Sequence, residues 1–162
     1  MSLLPGKAAG RTDIARCRRG PVIVSSVASD AHTWNLVYLQ LVIEELGYEV
    51  VNLGPCVPDD LLVQECRARL PAMVVISSVN GHGYQEGLRV VQRLRACPEL
   101  RGIPMVIGGK LGITGGESSG HIDDLLSAGF DAVFDDGTAG IASFRRLLTA
   151  LSPPEPMLEV AS

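Results

Sequence analysis

The run Ala72-Met73-Val74-Val75-Ile76-Ser77-Ser78 carries no charge, is rich in β-branched residues and is apolar on both faces. Strands of this kind lie buried between two helical layers, the arrangement of a parallel sheet. Working outward from it, residues 22–27 form a second such run, and residues 48–53, 103–107 and 131–134 are three shorter ones. Segments with helical period separate them. Leu36, Leu39, Ile43 and Leu46 share one face in residues 34–46, and Gly47 ends that helix. Pro58, Asp59 and Asp60 open the next helix, with Leu62, Cys66 and Leu70 inward. Leu88, Val91, Leu94 and Cys97 mark a third helix, Ile122, Leu125 and Leu126 a fourth, and Ile141, Phe144, Leu148 and Leu151 a fifth.

Five strands alternating with five helices predict an α/β fold with a doubly wound, five-stranded parallel sheet. The flavodoxin-like (Rossmann-like) strand order 2-1-3-4-5 is the expectation, with a ligand crevice beyond the carboxyl ends of strands 1, 3 and 4. The chain has 162 residues, 46% apolar and 20% charged, which suits one globular domain. We expect a basic arm over residues 1–19, a folded domain over 20–151 and a proline-rich tail over 152–162. The arm carries Lys7, Arg11, Arg16, Arg18 and Arg19, and it reads as a solvated arm before a binding one. A net charge of −4 gives no general reason to expect nucleic acid.

The four cysteines show no CxxC spacing, so neither a disulfide framework nor a cysteine metal site is indicated. No leader pattern and no membrane-length apolar run is visible, and the expectation is a soluble cytoplasmic protein without a membrane partner.

The unusual loops follow strands 1, 3 and 4. The first is Ser29-Asp30-Ala31-His32-Thr33-Trp34-Asn35. A carboxylate two residues before a histidine can accept one ring N–H and leave the other nitrogen for a metal. The second is Ser77-Ser78-Val79-Asn80-Gly81-His82-Gly83, where small residues admit a bulky ligand or simply make a capped turn. The third holds Gly108, Gly109, Lys110 and further glycines. It lacks the spacing of a nucleotide P-loop, and backbone contact with a large ligand is its better reading. Gly137 and Thr138 follow strand 5. His82 and His121 read as polar loop or helix-end residues. Helix 1 carries Trp34, Tyr38 and Leu41 off its core stripe. Either it is buried on both sides or that face docks a partner.

In order and at these strand ends, the motifs resemble those of the cobalamin-binding domain family. That family has a DxHxxG motif after strand 1, an SxL-type motif after strand 3, GG after strand 4 and a Gly-Thr pair after strand 5. Here they are Asp30 to Asn35, Ser77-Ser78-Val79, Gly108-Gly109 and Gly137-Thr138. The phrases Val-Val-Asn-Leu-Gly-Pro and Val-Ile-Ser-Ser-Val-Asn-Gly-His-Gly look most like those of glutamate mutase small subunits.

The resemblance implies His32 as the lower axial ligand of cobalt, oriented by Asp30. It implies a tail pocket lined by Ser77, Gly108 and Gly109. It further implies adenosylcobalamin as cofactor and a larger, barrel-type catalytic subunit that holds the substrate, with this chain inactive alone. No arginine cluster at a strand end offers a substrate clamp, in keeping with that division. Asn35 stands where the family motif has glycine. Asparagine tolerates left-handed backbone, and its side chain approaches the corrin or the tail.

Other readings are a cobalamin carrier or sensor for a methyltransferase or a regulator, and a flavin protein using Ser29 and Thr33 for phosphate. A receiver domain needs an aspartate where Ser77-Ser78 stands.

Overall fold

The computed structural model describes residues 20–109, 118–135 and 138–151. The basic arm, the proline-rich tail, Lys110 with the rest of the third loop, and Gly137 lie outside the described residues. Five strands form one sheet: β1 (Val22–Ser26), β2 (Val50–Asn52), β3 (Met73–Ser78), β4 (Met105–Gly109) and β5 (Ala132–Asp135). The order is β2-β1-β3-β4-β5, every pair parallel, as the sequence predicts. The helices are α1 (Trp34–Glu45), α2 (Asp59–Arg69), α3 (Gly83–Arg95), α4 (Ser118–Ala128) and α5 (Thr138–Leu151), with a 3-10 turn at Pro98–Leu100.

Successive strand residues point to opposite faces, and each face is covered by its own helices. Ile23, Val74, Ile76, Met105 and Ile107 pack with Leu62 and Cys66 of α2, Val90, Val91 and Leu94 of α3, and Leu125 of α4. Val22, Val24, Met73, Val75 and Val106 pack with Leu36, Val42 and Ile43 of α1 and Phe144 and Leu148 of α5. β3 is buried throughout, because both layers close over it. Each such aliphatic side chain contributes about 1.5–3 kcal/mol by leaving water.

Several boundaries differ from expectation. β2 is only three residues long. Tyr48, read as part of it, is instead a buried plug whose hydroxyl donates to the Leu148 carbonyl at 3.1 Å. β4 starts after Pro104 and runs through both glycines. Cys97 lies beyond the α3 cap and is half-buried. Gly47 does end the α1 turn, at φ +94°.

The face of α1 is the larger difference. Trp34 is 82% exposed, Leu41 59%, Tyr38 50% and Val37 40%. Among the described residues α1 is therefore not buried on both sides. Among the described residues no helix is long and apolar enough to cross a membrane.

Candidate functional site

The loop after β1 is pinned before it presents anything. The Asp30 N–H donates to the Val27 carbonyl at 3.1 Å, and the Asp30 carbonyl accepts the Cys56 N–H at 2.8 Å. The side chain of Asp30 is thereby driven fully inside. Its Oδ1 accepts the His32 backbone N–H at 3.0 Å and pairs with His32 Nδ1 at 2.7 Å. Its Oδ2 accepts the Val79 N–H, from the loop after β3, at 2.6 Å.

Burial pushes the Asp30 carboxyl up. The Val79 N–H, the His32 N–H and the His32 ring together outweigh it and hold the group below the ordinary carboxylate value. Asp30 is therefore an ionised acceptor at neutral pH. With Nδ1–H given to Asp30, the lone pair of His32 sits on Nε2. The imidazole is 61% exposed. A buried anion thus orients an open ring nitrogen.

Beside it a cavity of about 410 Å³ opens between the sheet and the α1 and α5 helices. Val75, Val106, Phe134, Leu39, Ile141 and Phe144 make its apolar walls. The expected residues Asn35, Ser77, Val79, Gly108 and Gly109 line it as well. Small residues stand at the ends of β3 and β4, where the strands approach closely. A Cβ on Gly108 would lie 3.3 Å from the Phe134 carbonyl oxygen. Gly109 has φ +103°, and a Cβ there would stand 2.2 Å from the Ser78 carbonyl oxygen, so only glycine fits.

Residues 20–145 match the B12 binding domain family. The chain belongs to that family. Glutamate mutase sigma subunit 1 of Haloarcula marismortui is 28% identical over 119 residues, 72% of this chain and 76% of that protein. The glutamate mutase sigma subunit of Fusobacterium nucleatum is 24% identical, over 72% of this chain and 85% of that one. Among solved structures, a cobalamin-binding protein from Desulfitobacterium hafniense shares the fold with a TM-score of 0.66 at 20% identity. The match covers 83% of this chain and 60% of that one.

On this B12-binding domain, the predicted residues divide into two groups. One comprises the Asp30–His32 pair and the cavity residues, joined because Val79, which lines the cavity, gives its N–H to Asp30. The other lies outside the cavity. The Ser29 hydroxyl donates to the Glu86 carboxylate, its N–H donates to Glu86 Oε1 at 3.1 Å, and its oxygen accepts Asn80 Nδ2 at 2.9 Å. Ser78 donates to Asn80 Oδ1 at 3.2 Å. These contacts tie the first two loops to α3. Ala31, Thr33 and Trp34 are exposed, Thr33 as the α1 N-cap residue, and Gly81 is half-buried in the second loop. Thr138 opens α5.

Sequence reasoning missed the role of the Val79 N–H, the Glu86 clasp and the α5 wall at Gly140, Ile141 and Phe144. The usable signal was alternation. Val75 and Ser77, like Val106 and Gly108, fall on one sheet face and shrink toward its carboxyl edge. Among the described residues no cluster of three His, Cys, Asp or Glu could hold a metal ion by itself.

Proposed function

We propose that this chain is the small, cobalamin-carrying subunit of an adenosylcobalamin-dependent carbon-skeleton mutase of glutamate mutase type. With a larger catalytic subunit it would interconvert L-glutamate and threo-3-methylaspartate. The observation that carries the reading is the Asp30–His32 pair tied, through the Val79 N–H, to a residue that lines an apolar cavity.

In a bound corrinoid, one protein imidazole would supply the nitrogen that holds the cobalt from this chain. His32 Nε2 fits that role, with Asp30 fixing the tautomer and the ring direction. The cavity suits a nucleotide tail: apolar, walled by two helices, and lined at the strand ends by Gly108 and Gly109. When bound, the cofactor contributes homolysis of its cobalt–carbon bond, and the protein contributes position and tuning.

The mutase reading over a carrier or sensor is supported by the sigma subunits of glutamate mutase among the relatives. A larger subunit covering the His32 side would also cover Trp34, which begins α1 two residues later and is exposed.

The test is spectroscopic. The purified chain, incubated with cobinamide, which has no base nitrogen of its own, and reduced to Co(II), is expected to give an electron spin resonance spectrum with nitrogen splitting from imidazole. In His32→Gly that splitting should vanish, and added imidazole should restore it. An unaltered spectrum in the variant would remove His32 as the ligand.

A further inference from the structure

Asn35 has a feature that the ligand pair and the cavity shape do not explain. Its Nδ2 donates to Ser77 Oγ at 2.5 Å, while its Oδ1 is buried with no hydrogen-bond partner among the described residues. Leaving a buried acceptor unpaired costs about 1–3 kcal/mol, and folded proteins rarely retain such a group without use. Asn35 and Ser77 both line the cavity, whose other walls are largely aliphatic and aromatic.

The pairing also sets the polarity of this corner. Ser77 Oγ is occupied as acceptor by Asn35, which leaves its own O–H to donate elsewhere. The Asn35 amide, with its acceptor unpaired, and the Ser77 hydroxyl therefore stand together among the cavity-lining residues.

We propose that Asn35, together with Ser77, reads the nucleotide tail of the bound corrinoid. Asn35 Oδ1 accepts a hydrogen bond from a donor on the tail, and the Ser77 hydroxyl donates to an acceptor beside it. Two groups on such a tail carry adjacent donor and acceptor capacity: a ribose hydroxyl, and the amino edge of a purine base. This rests on the corrinoid reading above and assigns a specificity-determining residue within it. The position matters because the family motif has glycine there, with no side chain to make either bond.

The experiment compares three corrinoids by equilibrium dialysis, quantified by corrinoid absorbance: cobinamide, which lacks the nucleotide tail; cobalamin, with a dimethylbenzimidazole base; and its adenine-based counterpart. The full chain is compared with Asn35→Ala and Asn35→Gly, and circular dichroism melts confirm that each variant is folded. Asn35→Ala is expected to weaken the tailed corrinoids about 10-fold, from the worth of one buried hydrogen bond, and to leave cobinamide unchanged. Equal losses for the two tailed corrinoids identify the ribose hydroxyl as donor. A larger loss for the adenine form identifies the base amine. The proposal is overturned if both variants bind tailed corrinoids as tightly as the parent, or lose cobinamide in step. A parent chain that binds no corrinoid at all, cobinamide included, would instead remove the functional reading beneath it.

Discussion

Asp30 illustrates how one residue couples folding to ligand chemistry. Its carboxylate is fully buried, yet three N–H groups from two loops converge on it. Removing the charge leaves those donors underused, and each unsatisfied buried donor costs about 1–3 kcal/mol. Asp30→Asn is therefore expected to lower stability at pH 7 by an amount in that range. The pH dependence adds a sharper signature. The folded-state pKa of Asp30 is held below its unfolded value, about 3.9. The folded state then binds fewer protons than the unfolded state in that region. The resulting stabilisation is fully present above the unfolded value and is lost as pH falls through the folded one. Denaturant titrations between pH 7 and pH 3 should show the gap between parent and Asp30→Asn narrowing below about pH 4. A gap that stays constant across the series would mean that the carboxylate is not held ionised by these contacts.

At the scale of elements, the site depends on how closely β3 and β4 approach at their carboxyl ends. Ser78 pairs in register with Gly109, and Val79, the next residue, supplies the N–H that grips Asp30. Gly109→Ala would set a methyl group against the Ser78 carbonyl and force an alanine to φ +103°. The expected cost is about 2–4 kcal/mol, from strain plus the displaced strand pairing. Because Val79 moves with Ser78, corrinoid binding should weaken as well. Thermal melts and binding isotherms on the same variant check both halves, and a normal melting curve would show that the strands can separate freely here. This coupling also explains what was legible in the sequence. The all-apolar run of β3 can be read locally, since burial on both faces leaves no other pattern. So can Asp30 and His32, which sit two residues apart. The Val79 contact is made by a backbone N–H 49 residues away from Asp30, and a backbone group leaves no mark in composition. The α5 wall is equally silent, because Gly140, Ile141 and Phe144 look like any core stripe until the helix is docked. Tyr48 misleads for a related reason: its β-propensity suggests a strand, while its hydroxyl finds a partner 100 residues on, at Leu148.

At the scale of the molecule, the two faces of α1 divide the labour. Leu36, Val42 and Ile43 anchor the helix to the sheet, so its position is set from within the chain. Trp34, Val37, Tyr38 and Leu41 recur at three- and four-residue spacing along the outside, and all four are exposed. A contiguous apolar row on a surface marks an interaction site more often than it serves solubility. This row starts beside His32, so a larger subunit closing over the cofactor face would meet it next. Leu41 stands farthest along the row from the imidazole and outside the residues lining the cavity. It can be changed without touching His32 or the cavity lining. Leu41→Glu is expected to leave the melting temperature and the cobalamin affinity of the isolated chain unchanged, as exposed substitutions usually do within about 0.5 kcal/mol. It should weaken assembly with the larger mutase subunit at least about 10-fold, because a charge buried in an apolar contact is left unpaired. Analytical ultracentrifugation of the mixed subunits, with cobalamin present, measures this directly. Unimpaired assembly would free the outer face of α1 from that role and place the subunit contact elsewhere on the carboxyl edge of the sheet.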